Sequence, residues 1–280
     1  MRYRSFIRIL RPLNMFITFI SVWGGVIIAK GTIYTGDYLR VFLASISAAF
    51  VAGAGNVIND IKDVEIDKAN NKMRPLVTGE ITEKEAYVLY FSLNIIALAI
   101  LILFVSNTLF YIALVTEILL FLYALLLKFF PFFSNVLIGM ITGLVFIYAG
   151  LLTDTWWYDF TPFFFAAEIN FLRELVKDIE DIKGDQANDY YTMAVFLGEK
   201  LSKNMAVAFT FILIGSTSLP YLYLNYSEAY LYSVILFVDI PLLFFIYKLL
   251  QKDTNYKVIH FTLKASMILG LISLLLGVLV

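Results

Sequence analysis

From Ala86 to Thr116 the chain carries no Asp, Glu, Lys or Arg, and from Ile118 to Leu127 it carries none again. In lipid every backbone N–H and C=O must be paired within its own segment, which for a single chain stretch means a helix. A helix needs about 20 predominantly apolar residues to cross the hydrocarbon core. By that measure nine segments qualify: 13–30, 38–59, 85–106, 108–127, 132–153, 160–178, 203–224, 229–250 and 258–280. The breaks KGTIYTGD, SN, KFFP, TDTWWYD, NYSE and QKDTNYK separate them. The 280 residues are 61% hydrophobic, with a mean hydropathy of +0.83, whereas soluble domains run at about 45–50% apolar. The expectation is an all-α integral membrane protein, one membrane-embedded domain over 1–280. A net charge of −1 argues against a nucleic-acid partner, and the absence of cysteine excludes disulfides and thiolate metal sites. The basic N-terminus runs into the first apolar segment without a small-residue cleavage site, and so reads as a retained span.

Basic residues favour the cytoplasmic side of a membrane. With the N-terminus inside and the spans alternating, only Lys30 and Arg40 of the 21 basic residues fall outside. An odd number of spans then leaves the C-terminus outside. Trp156, Trp157 and Tyr158 fit an outer interfacial belt. Two long charged connections, about 60–84 and 178–202, lie on the cytoplasmic side.

Those connections hold a repeat. DIKDVEID begins at Asp60 and DIEDIKGD at Asp178, so that Asp60, Asp63 and Asp67 correspond to Asp178, Asp181 and Asp185. Beyond the acids, Ala69-Asn70 matches Ala187-Asn188, and Gly79-Glu80 matches Gly198-Glu199 after a one-residue slip. The displacement covers four spans, an even number, so this parallel pseudo-repeat puts both motifs on one side of the membrane. Inverted repeats would have placed them on opposite sides.

On a helix, Asp60, Asp63 and Asp67 share a face, as do Asn59, Asp63 and Asp67, and the second motif repeats the spacing. Carboxylates so crowded repel one another, and a divalent cation relieves the conflict. An all-oxygen set of Asn59, Asp60, Asp63, Asp67, Asp178, Asp181 and Asp185 suits Mg²⁺, which shares its shell with substrate phosphates. The expected ligand is therefore a diphosphate. Arg74, Lys128 and Lys177 are candidates to pair with its oxygens, together with Arg11 and Asn14 at the start of the first span. A lone acidic run is usually a solvated loop, but two copies in matching register are not.

NDIKDVEID resembles the NDxxDxxxD signature of the UbiA superfamily of intramembrane prenyltransferases, and DIEDIKGD its second, DxxxD signature. Arg74-Pro75, the basic Lys128 between spans four and five, and RELVKDIEDIKGD at 173–185 extend the likeness through most of the chain. The resemblance implies a nine-helix bundle with two helical cap loops over a cavity open to lipid. It also implies Mg²⁺-dependent transfer of a prenyl group from its diphosphate to a lipophilic acceptor, with Asp63, Asp67, Asp181 and Asp185 as the catalytic acids. Tyr123, a turn before Lys128, would offer its ring to the allylic cation. Within the superfamily, RELVKDIEDIKGD and the short chain look most like the archaeal branch that alkylates geranylgeranylglyceryl phosphate with geranylgeranyl diphosphate. Met73 and Tyr191-Thr192 depart from what many relatives carry. The alternatives are an aromatic acceptor, as in quinone biosynthesis, and a cation transporter. Nothing in the sequence points to an obligate protein partner.

Ionisable residues inside spans are costly, so Glu117 and Glu168, with Asn170, are candidates to line a cavity. Asp239 is expected to be structural, Gly139-x-x-x-Gly143 to mark close helix packing, and His260 to be an interfacial residue away from both motifs.

Overall fold

The computed structural model describes residues 2–126, 130–187 and 190–280, and among them every regular element is helical. The chain groups into two compact units: residues 1–23, 35–130 and 183–191 form one, and residues 24–34, 131–182 and 192–280 the other. The break at 130/131 falls between the fourth and fifth expected spans.

In the first unit, α1 (Arg2–Leu10) buries Ser5 and Ile9 and exposes Tyr3, Arg4, Ile7 and Arg8. The chain turns at Arg11, whose φ of +53° is left-handed. Pro12 then opens α2 (Pro12–Lys30), which belongs to this unit as far as residue 23; its fixed φ suits the first turn and its missing N–H leaves nothing unpaired. α3 (Tyr38–Lys62) is capped by Asp37, which accepts from the Arg40 N–H at 3.0 Å. α4 (Val64–Ala69) follows at once.

α5 (Glu83–Ile100) starts at a capping box: the Thr82 N–H donates to Glu85 (2.9 Å) and the Glu85 N–H to Thr82 Oγ1 (3.3 Å). It ends in a π turn, Leu101–Val105, closed by the Ser106 N–H on the Leu101 carbonyl at 2.9 Å. Arg40 Nε takes the Val105 carbonyl at 3.1 Å, which gives one of the two outer basic residues a structural task. α6 (Asn107–Leu125) follows. α3 packs on both α5 and α6. Their core includes Ile9, Val57, Ile58, Ile61, Ile81, Tyr90, Leu93 and Ala124, so apolar burial pins α1 and the start of α5 beside the end of α3.

In the second unit, α7 (Phe133–Gly150) is followed by a 3₁₀ turn, Trp156–Asp159, and by α8 (Phe160–Ala187), which belongs to this unit as far as residue 182. A Cβ on Gly139 or Gly143 would stand 2.6 Å from the Ala167 or Phe163 carbonyl oxygen of α8. The GxxxG pair is therefore where the two backbones meet, as its spacing leads one to expect. α9 (Met193–Leu197) leads to α10 (Glu199–Thr217) and α11 (Leu219–Tyr223). The expected span 203–224 is thus broken ahead of Pro220, and the Tyr230 hydroxyl donates to the Thr217 carbonyl at 2.6 Å. α12 (Glu228–Val234) passes through a π turn, Ile235–Asp239, into α13 (Ile240–Leu249), whose first turn holds Pro241. Proline supplies no N–H, so the ladder shifts register there. α14 (Tyr256–Leu279) packs on α12 and α13.

Among the described residues, eight helical segments are long and apolar enough to cross a membrane, by length and composition. The ninth expected span, 160–178, lies on α8. At 28 residues and roughly 42 Å that helix is long enough, but Glu168, Arg173, Glu174 and Lys177 keep it outside the eight.

Candidate active site

The first acidic motif straddles the junction of α3 and α4. Asp63 is the residue between them, at φ −95° and ψ 5°. Its N–H still bonds the Asn59 carbonyl (2.9 Å), and the Asp67 N–H bonds the Asp63 carbonyl (2.8 Å). The i to i−4 register therefore survives the junction, although the expected single helix does not. Asn59 Nδ2 donates to Asp63 Oδ2 at 2.8 Å. Asp60, Asp63 and Asp67 are all buried, at 3%, 8% and 2% exposure, so each of these charges needs a partner.

Arginine supplies the partners of Asp60 and Asp67. Asp60 Oδ1 accepts from Arg11 Nη2 at 2.5 Å and from Arg74 Nη1 at 2.6 Å. Arg74 Nη1 also stands 2.7 Å from Asp67 Oδ2. That last approach is an ion pair without hydrogen-bond alignment, and Asp67 Oδ2 has no hydrogen-bond partner. Burial raises the Asp67 carboxyl to about 6; Arg74 pulls it down, and Asp63 and Asp60 push it further up. Two of the sequence candidates, Arg11 and Arg74, thus meet at the first motif. Asn14, in the first turn of α2, leaves its buried Oδ1 without a partner.

The backbone around these arginines is held by Asn56, which the sequence did not single out, and by contacts of Arg8 and Glu80. Asn56 Nδ2 donates to the Leu10 carbonyl at 3.1 Å, which fixes the corner where Arg11 sits. Arg8 Nη2 donates to the Met73 carbonyl (2.8 Å), and Arg8 Nη1 lies 3.1 and 3.2 Å from the Glu80 oxygens. Ser5 and Thr78 also donate to Glu80, whose pKa is lowered, chiefly by the Ser5 hydroxyl. These contacts clasp α1 to the segment that carries Arg74. The pairings made by Asn56, Arg8 and Ser5 have no local sequence signal, because the partners lie 46 to 75 positions apart.

The second motif lies on continuous α8, so Asp178, Asp181 and Asp185 share the expected face. Asp181 and Asp185 are buried, and Asp178 is half-buried and accepts from buried Asn135 Nδ2 at 2.9 Å. Asn135, in the first turn of α7, is a second residue missed from sequence. Lys177 pairs with Glu174 at 3.3 Å. His260 Nε2 lies 2.8 Å from Glu180 Oε2. The histidine expected away from both motifs therefore touches the helix of the second, because the start of α14 returns to α8.

The last acid of the second motif, Asp185, belongs to the first unit. There Gly184 lies under the Asn70 side chain: a Cβ on it would stand 2.0 Å from Asn70 Oδ1. The Tyr190 N–H bonds the Asp185 carbonyl at 2.9 Å. Burial raises the Tyr190 phenol, and Asp63, Asp185 and Glu65 add to the rise. Gly79 and Gly198, matched by the repeat, both have left-handed φ, +71° and +80°. Among the described residues no three carboxylates are gathered closely enough to hold a metal.

Of the remaining candidates, Tyr123 is half-buried on the last turns of α6, and Lys128 falls outside the described residues. Glu117 is buried with Oε1 unpartnered. Glu168 accepts from Ser216 Oγ at 3.1 Å, and Asn170 donates to the Ala166 carbonyl. Asp239 accepts from Thr217 Oγ1 at 3.1 Å, which ties α10 to the π turn.

The UbiA prenyltransferase family matches residues 17–279. The chain belongs to that family. A digeranylgeranylglyceryl phosphate synthase of Methanosphaera stadtmanae is 34% identical over 98% of this chain and 99% of its own length. One of Saccharolobus solfataricus is 37% identical over 85% and 84%. Among solved structures, one described for a digeranylgeranylglyceryl phosphate synthase in membranes has a TM-score of 0.71 at 28% identity, covering 99% of this chain and 98% of its own. A UbiA homolog from Archaeoglobus fulgidus bound to DMAPP and Mg²⁺ has a TM-score of 0.68 at 17% identity, over 95% and 99%. As a UbiA prenyltransferase the chain is a multi-pass membrane enzyme, and the first copy of its acidic repeat is the buried, arginine-paired segment described above.

Proposed function

We propose that this chain transfers a geranylgeranyl group from geranylgeranyl diphosphate to the free hydroxyl of geranylgeranylglyceryl phosphate, forming the second ether bond of archaeal membrane lipids. The observation that carries this reading is the near full-length similarity to digeranylgeranylglyceryl phosphate synthases of several archaea. In the reaction the acceptor oxygen bonds to C1 of the prenyl chain, and the C1–O bond to diphosphate breaks. Diphosphate leaves with the electron pair, and the hydroxyl proton is released.

Asn59, Asp60, Asp63, Asp67, Asp178, Asp181 and Asp185 are the proposed Mg²⁺ ligands, with Asp63, Asp67, Asp181 and Asp185 central to catalysis. When bound, Mg²⁺ neutralises charge that develops on the leaving diphosphate. What supports such an ion is the donor chemistry: the set is all oxygen, and buried Asp67 Oδ2 has no aligned hydrogen bond. Arg11, Asn14, Arg74, Lys128 and Lys177 are assigned to the phosphate oxygens, and Tyr123 to the allylic cation. The N-terminus and both motifs face the cytoplasm in this reading, and the C-terminus lies outside.

The test is purified protein with geranylgeranyl diphosphate, Mg²⁺ and either the isoprenoid glyceryl phosphate or 4-hydroxybenzoate. Alkylation of the lipid is expected, and prenylation of the aromatic compound alone would overturn the assignment. Asp63→Ala and Asp181→Ala should each lower Mg²⁺-dependent diphosphate release by roughly 100-fold or more, with helical content retained in detergent.

A further inference from the structure

We infer that Arg74, assisted by Arg11, is a built-in counter-cation that holds the first acidic motif until a diphosphate draws it off, so that divalent cation and diphosphate bind as one unit. This rests on the metal and diphosphate assignment proposed above.

The side chains of Asp60 and Asp67 are 4% and 3% exposed. Ionised carboxylates that deep require a cation close by. Arg74 Nη1 bridges Asp60 Oδ1 and Asp67 Oδ2, and Arg11 Nη2 shares the same Asp60 oxygen. These are oxygens a divalent ion would need. A guanidinium and a divalent ion cannot both occupy them without like-charge repulsion across a few ångströms. A metal arriving alone must therefore expel an arginine and leave it without an anion. A metal arriving with diphosphate brings the anion that a planar guanidinium fork matches best.

The segment is built for such an exchange. The backbone on either side of Arg74 is fixed, by Arg8 on the Met73 carbonyl and by the Thr78 N–H on the Arg74 carbonyl at 2.9 Å. The guanidinium alone has to swing. The two ligands then raise each other's affinity by the same factor, as linkage requires.

The experiment uses the full chain in detergent. Mn²⁺ binding is followed by electron paramagnetic resonance without diphosphate, and ³²P-pyrophosphate retention by equilibrium dialysis with and without Mg²⁺. Wild type should bind Mn²⁺ alone weakly and retain pyrophosphate only with Mg²⁺. Arg74→Met should bind Mn²⁺ alone about tenfold more tightly, a shift of about 1.4 kcal/mol, and retain less pyrophosphate. Arg11→Met should move the same way and carries the test should Arg74→Met misfold. Arg4→Met removes equal charge from the exposed face of α1 and should leave Mn²⁺ affinity unchanged; a gain equal to that of Arg74→Met would reduce the effect to net charge and overturn the inference. If neither arginine variant tightens Mn²⁺ binding while wild type still retains pyrophosphate with Mg²⁺, the counter-cation role falls and the site stands. If wild type retains none with Mg²⁺, both fall.

Discussion

Asp159 is fully buried at the end of the 3₁₀ turn, and neither of its carboxylate oxygens has a hydrogen-bond partner. Burial raises its carboxyl to about 8 from 3.8, and the same burial, with Asp159 nearby, pushes the Tyr226 phenol up to about 12. A folded-state value above the unfolded one means that folding takes up a proton. The stabilisation is complete below pH 3.8 and is lost as pH rises through about 8, at no more than about 1.4 kcal/mol per unit. Thermal unfolding in detergent should therefore show a midpoint that falls between about pH 5 and 8 and levels off above that. Asp159→Asn, isosteric and uncharged, should flatten that slope, and an unchanged slope would place the titration elsewhere. At this scale the acids were legible from sequence and their partners were not. The spacing of Asp60, Asp63 and Asp67 is local, whereas Arg11 reaches Asp60 across 49 positions and Asn135 reaches Asp178 across 43.

Helical elements follow from apolar length and breaker residues, and so eight of the nine expected segments match helical stretches to within about four residues at each end, whereas the sixth, 160–178, starts with α8 but stops well short of its end at Ala187. Interruptions inside them depend on how a freed backbone group finds a partner. Pro220 and Pro241 announce a break without saying whether the ladder kinks or widens into a π turn. The contact between α7 and α8 is the element that tests most directly. Because Gly139 meets backbone oxygen and not the end of a flexible side chain, Gly139→Ala has to push the helices apart. The expected cost is about 1–3 kcal/mol, read as a lower unfolding midpoint, with Gly215→Ala, which meets nothing within 4 Å, as the neutral comparison.

For the whole molecule, nineteen basic residues on one side of the alternation set the proposed orientation. The chain has no cysteine, so single cysteines report position without interference. Lys68 and Asp154 are both exposed. In intact cells a membrane-impermeant maleimide should label Asp154→Cys directly and Lys68→Cys only after permeabilisation. The opposite pattern would invert the topology.

What the sequence determined by itself is whatever has a short period or a long run: the membrane class, the helical segments, the side bias of the basic residues and the duplicated acid register. Each arises within one segment, so no partner has to be known. Tertiary structure decided which cations answer buried Asp60 and Asp67, and how α1 is clasped to the Arg74 segment through Ser5, Arg8 and Glu80. It also brought His260 onto Glu180 and Asn70 over Gly184. Those pairings join residues far apart in the chain, and the physical driver is that a charge removed from water must be matched by whatever the packing brings within reach.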